Sequence, residues 1–226
     1  MKFLKQLTVF ERTLWITSVI AITVSYMLFG KGEYLNLIAS LIGVTALIFV
    51  AKGYVVGQIL TVVFAAFYGI ISFCFQYYGE MITYLGMSAP IALLAAIQWA
   101  RHPYKDSSTV TVHRVTCKNI VWLCVWTFLV TVVFYFILGA LGNANLVVST
   151  ISITTSFAAS YLTFLRSPYY ALAYAANDVV LIVLWVSASF TDVTCIPIVV
   201  CFVMFLANDL YGFFNWRKMQ HHQRDS

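Results

Sequence analysis

The chain has 226 residues, and it is too apolar to be an ordinary water-soluble protein. Hydrophobic residues make up 62% of the sequence and charged residues only 9%, with a mean hydropathy of +0.90, whereas soluble domains carry charges at about 25% of positions. The net charge of +5 comes from basic residues spread over several segments, which argues against a nucleic-acid-binding surface. Composition therefore predicts an all-α protein that crosses a membrane several times.

Apolar runs long enough to cross a bilayer occur eight times. A helix needs about 17 to 25 apolar residues to span roughly 30 Å of hydrocarbon. In chain order the runs cover residues 14–29, 35–51, 55–75, 82–99, 119–141, 146–165, 169–189 and 193–214. The sequence therefore predicts a polytopic bundle of eight spans, of which the first is the shortest.

Lysine and arginine predict the orientation of these spans. In the predicted topology, 12 of the 13 Lys and Arg residues lie on one side of the membrane, and only Lys31 lies on the other. Basic residues accumulate in cytoplasmic loops. Both termini are therefore predicted to be cytoplasmic, whereas Glu33, Glu80 and Asp192 are predicted to lie outside. Because most loops are short, function is expected to reside in the bundle.

Polar side chains recur every three or four residues along the third and sixth predicted spans, which places them on one face of each helix. The two sets are Gln58, Thr61, Ala65, Tyr68, Ser72 and Gln76, and Ser149, Ser152, Ser156, Ser160 and Thr163. Small and hydroxylated residues at this spacing serve close helix packing more often than ligand contact. Both interpretations stay open at this point.

The last two predicted spans each carry an Ala-Asn-Asp sequence followed by a tryptophan. A carboxylate at the bilayer centre costs about 2.5 to 3.5 kcal/mol on insertion scales, so intramembrane acids normally face a protein interior or a wet cavity. Asp178 and Asp209 have no basic residue within their spans. Asp178 is predicted near the midplane and Asp209 near the cytoplasmic surface, so their carboxyl groups are not expected to meet. Trp216, beside Arg217 and Lys218, is expected to anchor at the membrane interface.

Amide and aromatic side chains accompany these acids in the same spans. Asparagine both donates and accepts hydrogen bonds, and aromatic rings offer flat surfaces to a planar ring, so the combination indicates a nucleoside-like solute. We expect Asn177, Asp178 and Asn208 to converge with neighbouring rings on one hydrated chamber. The alternative is that the two asparagines hold helices together and that Trp185 anchors at the interface.

The charge of the two acids decides which solute they favour. An ionised pair would favour a cationic ring, helped by contacts between a cation and aromatic rings worth about 0.5 to 2 kcal/mol. A protonated acid would accommodate a neutral nucleoside, and proton coupling would then be conceivable. The sequence leaves both possibilities open.

Several short motifs relate the chain to a known family. They are Tyr78-Gly79-Glu80-Met81 with Tyr84, Pro90 and Gln98-Trp99, and the segments from Asn177-Asp178 to Trp185 and from Asn208 to Trp216. From about residue 35 to residue 216 the chain resembles the PnuC family of bacterial vitamin transporters. The resemblance implies a bacterial plasma-membrane location and two three-helix bundles joined by a linking helix, similar to the SWEET sugar transporters. It also implies a homotrimer, facilitated diffusion without a cofactor, and a cytoplasmic kinase that phosphorylates the solute.

On that template the chain divides into six segments. They are an N-terminal segment with an additional helix (1–34), a first bundle (35–100), a cytoplasmic linker (101–118), a linking helix (119–142), a second bundle (143–216) and a tail (217–226). No catalytic or metal-binding residues are expected. The expected substrate-binding residues are Gln58, Tyr68, Gln98, Trp99, Tyr174, Asn177, Asp178, Trp185, Asn208, Asp209, Tyr211 and Asn215.

Nicotinamide riboside is the substrate that the resemblance implies by default. Carriers of that solute have a WxxW pair early in the penultimate helix, where this chain has Tyr169, Tyr170 and Tyr174. Another nucleoside, a deoxynucleoside or thiamine therefore stays open as the substrate. The alternative class is an intramembrane enzyme with Asp178 and Asp209 as an aspartyl pair, and the separation expected for these acids speaks against it.

Overall fold

The computed structural model describes residues 7–74, 78–105, 107–142 and 145–225. In this part of the chain the regular structure is helical, with two isolated β-bridges and no strand, so the predicted all-α class is confirmed. Predicted features on the remaining residues, among them Gln76, lie outside the described residues. The same holds for the side chains of Ser72 and Tyr78.

The helices follow the predicted apolar runs closely. They are α1 (Val9–Phe29), α2 (Tyr34–Ala51), α3 (Val55–Cys74), α4 (Tyr78–Ile82), α5 (Ala89–Ala100), α6 (Cys117–Ala140), α7 (Leu146–Phe164), α8 (Tyr170–Ser189) and α9 (Ile196–Asp225). A π-helical segment, Thr83–Ser88, joins α4 to α5, and a 3₁₀ turn, Val193–Cys195, precedes α9.

The described helices make the chain a multi-pass membrane protein. Seven of the described helical stretches are long and apolar enough to cross a bilayer, namely Val9–Phe29, Tyr34–Ala51, Gly79–Ala100, Cys117–Ala140, Leu146–Phe164, Tyr170–Ser189 and Val193–Asp225. Val55–Ile70 is a shorter apolar helix. A total of eight spans therefore stays a prediction.

Two helices extend beyond the predicted runs for local reasons. Helix α1 begins earlier because Thr8 caps it: its hydroxyl accepts from the Glu11 backbone N–H at 3.3 Å, while its own N–H donates to the Glu11 carboxylate at 2.6 Å. Such a capping box satisfies N–H groups that a helix start leaves unpaired. Helix α9 continues to Asp225 because residues 213–225 contain neither glycine nor proline, and its last turn carries His222 and Arg224 beside the negative helix end.

The π-helical segment is the local consequence of Pro90. Proline has no backbone N–H and its ring clashes with the preceding turn, so a regular helix cannot pass through it undisturbed. The Ala89 N–H instead reaches the carbonyl oxygen of Tyr84, five residues back. Such wider turns re-aim side chains and occur frequently at functional sites.

Helix packing gives a contiguous bundle. Helix α2 packs on α3 and α9, α3 packs on α5, and α8 lies between α7 and α9. Helices α5 and α7 are in contact with each other, and α6 packs on α7. Helix α1 packs on α2 and α9. Apart from Leu138, the surface of α6 is largely exposed, with 72% of Phe128 and 68% of Phe136 accessible.

The bundle has two chemically different ends. We call the end that carries Lys52, Arg101, Arg166 and Arg217 the basic end. Backbone hydrogen bonds join its turns, since residues 110 and 113 donate to the carbonyl oxygens of residues 53 and 166. The end where α6 runs into α7 and α8 runs into α9 is called the far end.

A buried ion pair ties α1 to the basic end. The Glu11 carboxylate, 2% exposed, lies 3.0 Å from the Lys52 ammonium, which is 14% exposed. The Tyr211 hydroxyl donates to the same carboxylate at 2.7 Å. One acid therefore joins α1, the turn after α2, and α9.

We predict that Glu11→Ala lowers the free energy of unfolding by about 3 kcal/mol, because it leaves a partly buried ammonium and a partly buried hydroxyl without their acceptor. Equilibrium unfolding in mixed micelles measures the change. Asp225→Ala is the matched control, since that acid is exposed at the end of α9. Equal stability of the two variants would contradict the prediction.

Candidate functional site

A cavity of about 440 Å³ lies in the half of the bundle nearest the far end. It is not enclosed, because its lining reaches the start of α4, the end of α6 and the end of α8. The residues that line it are Tyr68, Gly79, Glu80, Thr83, Tyr84, Ser88, Leu138, Leu141, Gly142, Asn145, Ser149, Ser152, Ile153, Ser156, Asn177, Leu181, Leu184, Trp185, Ala188 and Phe202. Its volume falls in the range of small-molecule sites.

One wall of the cavity is polar and held by hydrogen bonds between α7 and α8. The hydroxyls of Ser152 and Thr155 both donate to the Oδ1 atom of Asn177, at 3.1 and 2.9 Å. This fixes the amide orientation, so the Asn177 amino group is left to donate to a solute. Ser149 and Ser156 extend the same wall along α7.

Another part of the lining is aromatic. Tyr68 and Tyr84 both line the cavity, and their ring centroids are 4.6 Å apart. Trp185 and Phe202 add two further rings to the lining. Flat rings in the same cavity as a hydrogen-bonding wall suit a solute that has a planar ring on one side and hydroxyl groups on the other.

The charge on the cavity lining is negative. Among the described lining residues, Glu80 is the one Asp, Glu, Lys or Arg. In a partly desolvated cavity a single carboxylate favours a cation over a neutral or anionic solute.

The structure separates the twelve sequence-predicted residues into distinct surroundings. Tyr68, Asn177 and Trp185 line the cavity. Residues that lie outside its lining are Gln58, Gln98, Trp99, Tyr174, Asp178, Asn208, Asp209, Tyr211 and Asn215. Gln58 is buried within α3, and Gln98 lies half-buried in the last turn of α5. The expected convergence of Asn177, Asp178 and Asn208 on one chamber is therefore wrong, although a chamber exists around Asn177.

Three of the outlying residues bind neighbouring helices instead. Asn208 donates to the Ser18 hydroxyl of α1 at 3.1 Å, and Tyr211 donates to Glu11 of α1. Asn215 donates to the carbonyl oxygen of Ala51 at 2.8 Å. The reason is that the additional helix α1 covers the face of α9 on which Asn208 and Tyr211 lie.

Below the cavity, towards the basic end, the bundle is sealed by aromatic packing. The ring centroids of Trp99 and Trp216 are 5.1 Å apart, and Tyr170 lies 5.1 Å from Trp216. Each indole nitrogen donates to a carbonyl oxygen, that of Trp99 to Thr163 and that of Trp216 to Val50. Trp216 is 0% exposed, so its predicted role as an interfacial anchor is wrong.

Asp178 and Asp209 meet between the cavity and this seal, contrary to the predicted separation. Their carboxyl groups lie close enough to interact electrostatically, and the two residues are 3% and 4% exposed. The register of the two helices explains why these residues lie near each other. Tyr170 of α8 contacts Trp216 of α9. Because the helices are antiparallel, Asp178, eight residues after Tyr170, lies at about the same height as Asp209, seven residues before Trp216. Two carboxyl groups can hydrogen-bond only when they share a proton.

Sequence reasoning missed several residues of the cavity lining. Glu80 and Tyr84 were recognised only as motif residues, and Thr83 and Ser88 owe their position to the π-helical turn before Pro90. The periodic serines of α7 carried a usable signal, because Ser149, Ser152 and Ser156 all line the cavity.

The fold and the cavity together define a membrane transporter, a multi-pass helical bundle with a polar chamber inside it. The profile of the nicotinamide mononucleotide transporter family matches residues 33–218, and the chain belongs to this family. The matched range begins at the start of α2, so α1 lies outside it.

Individual relatives agree with this assignment and confirm the predicted resemblance to PnuC proteins. The nicotinamide riboside transporter PnuC of Neisseria mucosa is 27% identical over 212 residues, covering 91% of this chain and 80% of the relative. That of Haemophilus influenzae is 24% identical over 189 residues, covering 83% and 80%. A crystal structure of the vitamin B3 transporter PnuC has the same fold, with a TM-score of 0.81 at 23% identity over 96% of this chain and 94% of that one.

We predict that Asp209→Asn keeps the stability of the protein, whereas Asp209→Leu lowers the free energy of unfolding by a further 1 to 3 kcal/mol, roughly the cost of an unsatisfied buried polar group. Asparagine can still donate a hydrogen bond to Asp178, and leucine cannot. Unfolding in mixed micelles measures both variants. If asparagine destabilises as much as leucine, the shared-proton contact is wrong.

Proposed function

We propose that the chain carries nicotinamide riboside across a bacterial plasma membrane by facilitated diffusion. The observation that carries the proposal is the cavity of about 440 Å³, which combines a hydrogen-bonding wall, an aromatic wall and one carboxylate. The names of the two curated relatives support the same solute. The protein acts as a carrier and not as an enzyme.

The chemistry of nicotinamide riboside matches the two walls of the cavity. Its pyridinium ring is planar and cationic, so it can stack on the rings of Trp185 or Tyr84 and gain from the charge of Glu80. Its ribose carries hydroxyl groups that can pair with Asn177 and Ser156. Neutral nucleosides, deoxynucleosides and thiamine are the alternative substrates, and each lacks either the cationic ring or some of these hydroxyls.

The helix contacts support the expected architecture of eight spans. Helices α2, α3 and α4–α5 form the proposed first bundle, α6 the linking helix, and α7–α9 the second bundle, with α1 as the additional helix. Contacts of α2 with α3, of α3 with α5, and of α8 with both α7 and α9 support this division. The proposed division is the SWEET-like arrangement that the family resemblance implies.

The distribution of charge supports an orientation with the basic end in the cytoplasm. Lys52, Arg101, Arg166 and Arg217 all belong to that end, so both termini are cytoplasmic in the proposed topology. The cavity then opens to the outside and is sealed inside by Trp99 and Trp216. This is the outward-facing state of an alternating-access carrier.

The assembly and the energy source follow from the same proposal. The proposal includes the homotrimer that the family resemblance implies, and the exposed apolar surface of α6 suits contact with lipid or with a neighbouring copy. A passive carrier needs a sink for its solute, and phosphorylation by a cytoplasmic kinase provides one because the charged product cannot return.

The contact between Asp178 and Asp209 favours one alternative class, an intramembrane enzyme with an aspartyl pair. Against it, both acids lie outside the cavity lining and are almost fully buried. The Asp209→Asn variant separates the classes, since a carrier keeps its uptake while an aspartyl enzyme loses its activity. Proton-coupled transport is the other use of such a pair, and uptake independent of a pH gradient would exclude it.

We predict that Asn177→Ala weakens nicotinamide riboside binding by about tenfold, since roughly one to two hydrogen bonds are lost. Uptake into proteoliposomes and ligand-induced thermal stabilisation measure the effect. Asn208→Ala is the matched control: it removes the bond to Ser18, so it should lower stability without changing affinity. The proposal fails if the folded wild-type protein takes up no nicotinamide riboside, or if the two variants lose affinity equally.

We further predict that Glu80→Gln weakens binding of cationic nicotinamide riboside by about fivefold, roughly 1 kcal/mol, while affinity for a neutral nucleoside such as inosine changes little. The substitution keeps the shape and removes the charge. Competition by each solute against labelled nicotinamide riboside measures the ratio. An unchanged ratio would show that Glu80 does not act through its charge.

A further inference from the structure

A segment at the basic end connects α5 to α6 and is hydrogen-bonded to the turns after α2 and α7. We propose that residues 107–116, here called the bridging segment, close the inner exit of the cavity and are held shut by Gln223. The inference rests on the proposed carrier function and orientation, and it assigns the element that must move to release solute inside.

The bridging segment is hydrogen-bonded to both of the proposed three-helix bundles. The Val110 N–H donates to the carbonyl oxygen of Gly53 at 2.9 Å, in the turn between α2 and α3. The His113 N–H donates to the carbonyl oxygen of Arg166 at 3.0 Å, in the turn between α7 and α8. An extended segment that is hydrogen-bonded to a turn of each three-helix bundle opposes separation of the two bundles at the basic end.

The same segment contributes to the seal beneath the cavity. Val110 is 1% exposed and belongs to a buried cluster with Trp99, Leu162, Tyr170 and Trp216. Along α7, α8 and α9 these residues lie between the cavity lining and the basic end. A solute that enters at the far end therefore cannot leave at the basic end until this cluster opens, and Val110 cannot leave the cluster unless the bridging segment moves.

The side-chain amide of Gln223 makes two hydrogen bonds to the backbone of the bridging segment. Its Nε2 group donates to the carbonyl oxygen of Val110 at 3.0 Å, and its Oε1 atom accepts from the Val112 N–H at 2.7 Å. These bonds are possible because α9 continues past the predicted end of its span at residue 214. Gln223 therefore holds the bridging segment in its closed position, and we call it the latch. It does not contact the proposed solute site.

A matched control lies one turn earlier on the same helix. Gln220 accepts a hydrogen bond from the Arg217 side chain at 2.8 Å, within α9 itself. Gln220→Ala therefore removes the same chemical group from the same part of α9 without touching the bridging segment. Any general effect of shortening a glutamine there appears in both variants.

Thiol labelling from the basic side tests the latch. In a Ser156→Cys background the new thiol lines the cavity, and a membrane-impermeant reagent is applied to inside-out vesicles. Peptide mass spectrometry reads residue 156 separately from the native cysteines. We expect Gln223→Ala to label about fivefold faster than the background, because two weak bonds set the balance between closed and open states, and Gln220→Ala to label at the background rate.

Labelling of Gln223→Ala at the rate of Gln220→Ala would overturn the proposal. Should Gln223→Ala fail to fold, Gln223→Glu keeps the acceptor for Val112 and loses the donor to Val110, and faster labelling is expected there too. The labelling needs no substrate, so it separates a failed gate from a failed carrier function.

Cross-linking supplies the opposite manipulation. In the double variant Val112→Cys and Gln223→Cys, a bifunctional thiol reagent that joins the two thiols holds the segment against α9. We expect uptake of nicotinamide riboside to be lost while its thermal stabilisation of the protein remains, because the outer cavity stays accessible. Unimpaired uptake in the cross-linked protein would contradict the gate.

Discussion

A polar group in the hydrocarbon of a bilayer must find its partner inside the protein or face water, because each unsatisfied group costs several kcal/mol. This constraint sorts the polar side chains of the bundle. Asn208 is paired with Ser18, Asp178 with Asp209, and Glu11 with Lys52 and Tyr211. Around Asn177 the polar side chains also line a cavity. The proposed solute site is therefore the place where polar side chains are gathered around a cavity.

The same constraint explains why the two halves of the bundle differ. The half towards the far end contains the cavity, with serines, a carboxylate and an amide in its lining. The half towards the basic end is closely packed, and there the indole nitrogens of Trp99 and Trp216 donate hydrogen bonds to carbonyl oxygens. The carboxyl pair lies at the boundary between them. An alternating-access carrier must in turn close the far end and open the basic end during its cycle. In our proposal the bridging segment holds the basic end closed.

Much of the fold could be predicted from the sequence because length and apolarity alone determine a spanning helix. The helix positions and the serine face of α7 followed from these patterns. The depth of Asp209 did not, because the apolar run ends at residue 214 while α9 continues to Asp225 and buries Trp216. The end of an apolar run shows only where the composition changes. The depth of a residue in the bundle depends on how its helix packs against the neighbouring helix.

The site itself was only partly predictable. Asn177 and Asn208 have the same residue type and the same local sequence, yet one lines the chamber and the other binds α1. The difference comes from which neighbour covers each face, and that is information about tertiary packing. The π-helical turn before Pro90 likewise re-aims Thr83 and Tyr84 into the lining, and a proline predicts a disturbance of the helix without giving its form.

A structure of the protein with saturating nicotinamide riboside tests the central claim most directly. The account predicts ligand density in the chamber, with the ring against Trp185 or Tyr84 and the ribose against Asn177. Ligand density beside Asn208 and α1, or at the carboxyl pair with an empty chamber, would contradict it.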